Sequence, residues 1–198
     1  MRKAGTRERI VASAGGLFRR QGVDAASVGA VMAEAGLTHG GFYAHFDSKQ
    51  DLLREVLTHD HGFIRLLARR SAGRAADWQR QTAQVFADYL HPDHLVEVAA
   101  GCSFAALSGD AARADEAVRA GYPLAWQRLL GEVLRGPRQP PLGAFARASA
   151  AQRARASALV GMAIGAVSLA RVLWPDPAAA LLLRGVAAQA AALIGHPR

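Results

Sequence analysis

Apolar residues recur along most of the chain at the three- and four-residue intervals of an α-helix rather than the two-residue interval of a strand. The first clear stripe is Ile10, Val11, Ala14, Leu17 and Phe18, which lines one helical face. Thr6 is placed to cap its start. Arg19 and Arg20 suit the negative end of its dipole, and Gly22 can end it. Gly15 and Gly16 each cost up to about 1 kcal/mol relative to Ala inside a helix, and they allow a neighbouring helix to approach closely. Ser27 can cap a second, short helix that turns Val28, Val31 and Met32 inward, and Gly36 permits the left-handed residue of a tight turn. Thr38 can cap a third short helix carrying Phe42, Tyr43 and Phe46. Ser48, with Asp51 as a capping-box-like partner, opens a fourth. Leu52, Leu53, Val56 and Leu57 carry that helix inward, and it is expected to run to about Arg70.

Further helices are expected near 75–91, 93–108, 111–135, 147–173 and 177–195. Pro92, Pro175 and Pro177 mark breaks, and Pro123 is expected to kink or split the 111–135 segment. The stretch from Gly136 to Gly143 reads as an exposed loop. No alternating run bounded by turn pairs suggests a hairpin, and no repeat of 20 to 50 residues is visible.

Two short helices, Ser27–Glu34 and Thr38 to Phe46, flank the turn Ala35-Gly36-Leu37. That is a helix-turn-helix pattern, in which the second helix enters the DNA major groove with its N-terminal residues toward base edges. The pattern alone also arises by accident in helical proteins. The run from Val31 to Leu53 adds to it and resembles the TetR/AcrR family of bacterial transcriptional regulators, matching at Gly36, Thr38, Gly40, Tyr43, His45, Phe46, Ser48, Lys49, Leu52 and Leu53. Leu17-Phe18 and Gly22 also fit the family's first helix, so the resemblance covers roughly residues 6–57. It implies an all-α protein: an N-terminal three-helix DNA-binding head over 1–50, then a larger helical ligand-binding and dimerisation domain over 51–198. Gly101 to Leu107 looks similar to one branch of the family. Three positions depart from the pattern. Val31-Met32 replaces an Ile-Ala pair, Gly41 stands where Thr, Ser or Ala is common, and Gly29 replaces a polar residue.

The resemblance implies that the Tyr43 hydroxyl reaches a phosphate; a plain core aromatic is the alternative. Lys49 sits in the first turn of its helix, where the dipole disfavours a cation, and a phosphate there would suit both the lysine and the free N–H groups. A solvated lysine is the alternative. Ser27 and Thr38 are first of all caps, and Thr38 is also a candidate DNA contact. His39 and Gly40 fall where such a helix meets bases; His39 reads either as a base contact or as a surface histidine. His45 is expected to contact phosphate or to pack beside Tyr43, with Phe42 and Phe46 mainly in the core. Arg2, Lys3 and Arg7 read as a flexible basic arm.

Charge supports an anionic partner. The 198 residues carry 24 Lys+Arg against 16 Asp+Glu, a formal net charge of +8. This favours nucleic acid over a membrane surface, with an unengaged basic surface as the bland reading. A 51% hydrophobic composition excludes a disordered chain. The single cysteine excludes a disulfide framework and fits a reducing cytoplasm. The uncharged stretch Ala156 to Ala170 is 15 residues long, short of the roughly 20 that span a bilayer, and reads as a buried helix. The N-terminus is too polar for a signal peptide.

Phe86, Tyr89, Cys102, Phe104, Tyr122 and Trp126 are the candidate ligand-site residues, since a pocket needs aromatic walls and a few polar handles; simple core packing is the alternative. Cys102, among apolar neighbours, reads as a buried thiol rather than a sensor. By the resemblance, the last two helices build a four-helix dimer interface, with Gly161, Met162, Gly165, Leu169, Leu182, Val186 and Leu193 as its candidates. His59, Asp60, His61, Asp93 and His94 contain metal-ligand types, but residues two apart on a helix do not face each other, so no metal site is expected. The chain has no Gly-rich phosphate loop, Gly-x-Ser-x-Gly elbow or His-Glu-x-x-His, and neither enzymatic activity nor a cofactor is expected. The expectation is a cytoplasmic homodimer that binds a palindromic operator in double-stranded DNA and is released by a small, apolar effector. A helical enzyme or carrier and a membrane-surface protein are the rival readings.

Overall fold

A computed structural model describes residues 2–59, 61–71 and 74–195, with the side chains of Arg2 and Lys3 left out of the description. The described residues form α-helices and one 3-10 segment, with a single isolated antiparallel bridge between His61 and Cys102. They divide into two compact units.

The first unit comprises residues 1–62 and 98–125. Its helices are α1 (Arg2–Gln21), α2 (Val28–Glu34), α3 (Lys49–His59), α7 (Ser103–Arg113) and α8 (Glu116–Arg119), with a 3-10 segment at His39–Ala44. Helix α1 begins ahead of Thr6, so Thr6 is not its cap, and the backbone of Arg2, Lys3 and Arg7 is helical rather than a flexible arm. The stripe from Ile10 to Phe18 is buried as expected, against Val31, Met32, Phe42, Phe46, Leu52, Val56 and Leu57, and Leu107, Ala111 and Val118 join the same core. Arg19 is buried rather than placed in solvent at the helix end. Its Nε donates to the Ala99 carbonyl at 2.9 Å and its Nη1 to Ser103 Oγ at 2.8 Å.

The second unit comprises residues 63–97 and 126–198. It holds most of α4 (Gly62–Ala68), then α5 (Ala75–Tyr89), α6 (Asp93–Val96), most of α9 (Tyr122–Leu134), α10 (Pro141–Arg147), α11 (Ala150–Leu173) and α12 (Pro177–Gly195). Helices α11 and α12 pack on each other, with α5 against α12 and α6 against α11. Phe63 stacks on Tyr89 at 3.9 Å and meets Phe86 edge-on at 5.0 Å.

Several expected helices are divided. The fourth does not run to Arg70. The backbone of His61 bridges that of Cys102, and a Cβ on Gly62 would lie 2.5 Å from the Gly101 carbonyl, so the chain leaves the helix where two segments press together. The expected 93–108 helix becomes α6 and α7, separated by a turn over 98–100 whose Ala99 carbonyl Arg19 holds. The 111–135 segment breaks at Ala114, and Asp115 then caps α8 by accepting from Val118 N at 2.9 Å. The segment also splits, as expected near Pro123, at Ala120-Gly121 between α8 and α9, and Pro123 lies in the first turn of α9, where a missing N–H leaves no bond unmade. The 147–173 helix starts instead at a capping box, in which Ser149 Oγ accepts from Gln152 N and Gln152 Oε1 from Ser149 N. The expected loop is shortened by α10, which begins at Pro141. Helix α11 is 24 residues long and α12 is 19, so both are long and apolar enough to cross a membrane by length and composition, beyond the uncharged stretch read from the sequence.

Candidate nucleic-acid interface

Local chemistry shapes the head. Ser27 caps α2, its Oγ accepting from Ala30 N at 3.1 Å. Helix α2 ends in a Schellman turn: Gly36 N donates to the Ala33 carbonyl and Leu37 N to that of Met32, both at 2.9 Å. Gly36 takes φ +66° there, a conformation other residues rarely adopt. Thr38 follows with an extended backbone and makes no side-chain cap. The segment after it is a 3-10 helix of six residues, not the α-helix through Phe46 that its position predicts. Adjacent Gly40 and Gly41 supply little helix propensity, and so short a segment cannot recover the difference through its own hydrogen bonds. Phe42 anchors it, fully buried and stacked on Phe46 at 5.6 Å.

That anchoring leaves one edge outward. Thr38, His39 and Gly40 are exposed. Tyr43 meets Phe42 edge-on at 5.3 Å yet is 66% exposed, so it is not a core aromatic. Ser27 is exposed as well. His45 is half-buried, and among the described residues its Nδ1 is enclosed without a hydrogen-bond partner. Lys49 opens α3 and donates from Nζ to the Asp24 carbonyl at 3.2 Å. Asp51 N donates to Ser48 Oγ at 3.1 Å; the reciprocal bond runs from Asp47 N to Asp51 Oδ2 at 3.4 Å, one residue before the expected position.

Arg7 is not in a mobile arm. It lies within α1, donates to Glu55 Oε2 at 2.7 Å and covers the Phe46 ring at 4.7 Å. The hydrogen bond to Arg7 is the main cause holding the Glu55 carboxyl below its usual range. Arg20 pairs with Glu34 at 2.7 Å.

The candidate ligand residues divide between the two units. Cys102, Phe104 and Tyr122 belong to the first unit, and Phe86, Tyr89 and Trp126 to the second. Cys102 is fully buried. Phe104 stacks on His61 at 4.0 Å and meets Tyr122 edge-on at 5.1 Å; the Tyr122 hydroxyl lies 2.9 Å from Ser108 Oγ. Burial is the main cause that raises the Tyr122 pKa. His59 is exposed, 3.8 Å from Glu55, whereas His61 is buried against Phe104; Asp60 lies outside the described residues. Asp93 faces His91 at 3.3 Å, and His94 packs on Tyr89 at 4.8 Å.

Of the seven candidate dimer residues, Gly161 and Leu169 are exposed and the other five are half-buried. Gly161 and Gly165 have nothing within 4 Å of a notional Cβ, and Leu169 is 59% exposed. Met162, Leu182 and Val186 are half-buried. Leu193 differs, lining a cavity of the second unit instead. Val172 and Leu181, absent from the sequence-based set, are among the most exposed large apolar side chains. Val172 continues the row Gly161, Gly165, Leu169 at helical spacing, and that spacing was available in the sequence.

Fold and head together define an all-helical protein with a helix-turn-helix at its N-terminus. Residues 10–56 match the family model of the bacterial regulatory proteins, tetR family. Over 51 residues the chain is 43% identical to the HTH-type transcriptional regulator AcrR of Shigella flexneri, a match that spans 26% of this chain and 24% of that protein. Among solved structures, a TetR transcriptional regulator from Chloroflexus aurantiacus J-10-FL superposes with TM-score 0.67 at 26% identity, covering 99% of this chain and 98% of that one. The reduced form of E. coli NemR superposes with TM-score 0.67 at 18% identity, covering 98% and 100% of the two chains, a likeness of fold. Residues 10–56 therefore carry the N-terminal domain of the tetR-family regulators, and the chain as a whole shares the fold of TetR/AcrR-family structures.

Proposed function

We propose that this chain is a ligand-responsive, DNA-binding transcriptional regulator that represses by occupying a palindromic operator and leaves it when a small molecule binds. The observation that carries this reading is the exposed edge formed by Thr38, His39, Gly40 and Tyr43, held out by a buried Phe42 and preceded by a rigid Schellman turn. His39 and Gly40 meet base edges; the Tyr43 hydroxyl and Lys49, at the start of α3, take phosphates. Residues 1–50 act as the DNA-binding domain and 51–198 as the ligand-binding and dimerisation domain. A homodimer forms through the outward rows Gly161, Gly165, Leu169, Val172 on α11 and Leu181, Gly185, Ala188, Ala192 on α12, which leave an apolar surface of the kind that marks association. A two-fold dimer presents two heads to two half-sites. The effector works by binding one arrangement of the heads better than the other. The protein works in the cytoplasm, where its DNA is, and catalyses no reaction.

The test is a gel-shift titration with duplex carrying the chain's own promoter, against scrambled duplex at matched salt. Specific retention that Tyr43→Phe weakens supports the reading. Equal retention of both duplexes overturns it.

A further inference from the structure

The second unit holds a half-open cavity of about 300 Å³, bounded by α5, the end of α9 with the loop after it, the start of α11 and the end of α12. That volume falls in the range of small-molecule sites. None of the six aromatic and thiol residues expected from the sequence is among its walls.

Its lining is mixed: Leu159, Leu193 and Ile194 are aliphatic, Trp78, Arg135 and Arg155 supply an aromatic ring and two guanidinium groups, and no Asp or Glu is among the lining residues described. At Trp78 and Arg135 a single carboxylate serves two guanidinium groups. Arg70, its side chain 1% exposed, lies 3.1 Å from Glu132 Oε2 and donates to Thr82 Oγ1 at 2.6 Å. Arg135 Nε donates to the same Glu132 oxygen at 2.6 Å. Both guanidinium groups sit over the Trp78 ring, at 4.2 and 4.6 Å, and Trp78 Nε1 donates to the Arg135 carbonyl at 2.8 Å. The cluster therefore holds one positive charge more than it neutralises, in a place where water screens poorly. Burial is the main cause that pushes Arg70 down to about 10, with Glu132 opposing and Arg135 adding to the shift; it stays charged at neutral pH.

We infer that this cavity is a binding site for a monoanionic amphiphile, its carboxylate or similar head against Arg135 and Arg155 and its apolar body along Leu159, Leu193 and Ile194. An anion there offsets the surplus cation, and the aliphatic residues remove the ligand's hydrocarbon from water. Arg155 Nη2 donates to the Leu193 carbonyl, so the same side chain ties α11 to the end of α12. A ligand that engages Arg155 acts on the two helices of the proposed dimer face. Only that consequence rests on the regulator reading; the binding itself does not.

The experiment is isothermal titration of the full chain, without DNA, using octanoate, 1-octanol and octylammonium as probes. Octanoate is expected to bind saturably, at least about tenfold tighter than octanol, as a charge-assisted contact implies, with octylammonium not binding. Arg135→Gln should remove that preference and leave octanol unchanged. Ala75 is exposed in the first turn of α5 and lines the cavity; Ala75→Leu should fill the mouth and weaken octanoate about tenfold or more with the circular dichroism spectrum intact. Absence of octanoate binding, equal affinity for octanoate and octanol, or octanoate binding indifferent to Ala75→Leu would each overturn the inference. Duplex binding measured on the same preparation separates the two readings. Octanoate binding without DNA binding sinks the regulator alone, and DNA binding without octanoate binding sinks the site alone.

Discussion

The ammonium of Lys49 lies 3.2 Å from the main-chain oxygen of Asp24, joining the first residue of α3 to the loop between α1 and α2. A cation at a helix start opposes the helix dipole, and one carbonyl only partly satisfies an ammonium with three donors. A phosphate at the same place would complete it. Lys49→Ala is therefore expected to weaken specific and random duplex alike and to lower the log–log salt slope by about one per protomer. Fluorescence anisotropy across a salt series measures both. A slope equal to wild type would leave Lys49 as a loop tie only.

His39 is exposed at the start of the 3-10 segment, and the two glycines that follow offer no competing side chain. His39→Ala should change preference at one or two operator positions by about 1–3 kcal/mol. Random-duplex affinity, which phosphates supply, should be unaffected, and thermal stability should stay within about 0.5 kcal/mol. Binding-site selection with both proteins side by side provides the comparison. Identical logos would make His39 a bystander.

His94 links stability to pH. Burial, and secondarily the charge of Arg171, push its pKa from 6.5 to about 4, so the fold holds it neutral. The unfolded chain binds this proton more readily. Its contribution is thus complete above about pH 6.5 and is lost as pH falls toward 4. Allowing for partial solvent screening, the loss is on the order of 1–2 kcal/mol. Urea titrations between those limits should show midpoints falling with acid, and a His94→Gln variant should flatten the dependence. An equal fall in the variant would assign the effect to other groups.

Leu169, 59% exposed in the single chain, stands in the row Gly161, Gly165, Leu169, Val172. Leu169→Glu should cost the folded chain little, since a surface change is usually worth within ±0.5 kcal/mol, yet introduce charge into the proposed dimer face. Sedimentation velocity should show monomer where wild type is dimer, and a stability that no longer rises with concentration. A variant that stays dimeric would move the interface elsewhere.

Arg7 and Glu55 close a 2.7 Å ion pair beside the Phe46 ring. Arg7→Ala is expected to cost about 0.5–1 kcal/mol, more at low salt than at high. It should leave the DNA salt slope nearly unchanged, because the guanidinium is already engaged. A large drop in that slope would restore Arg7 to the phosphate contacts.

The sequence alone determined much of what depends on bonds between near neighbours, although Thr6 lies inside α1 rather than capping it and Thr38 makes no side-chain cap. The stripe from Ile10 to Phe18 buries because its spacing is helical. Ser27 caps and Gly36 turns because the groups they satisfy lie within five residues. Helix α12 occupies 177–195 as its apolar run and opening proline indicate. Only the tertiary structure decided matters that hinge on a distant partner. The chain leaves the helix after α3 because His61 and Gly62 meet Gly101 and Cys102. Arg19 is buried because it finds Ala99 and Ser103 about 80 residues away. Arg70 is buried because it meets Glu132 across 62 positions, and no periodicity in the chain encodes that meeting. A buried charge is tolerable only where its partner stands, and where a partner stands is a property of the folded backbone.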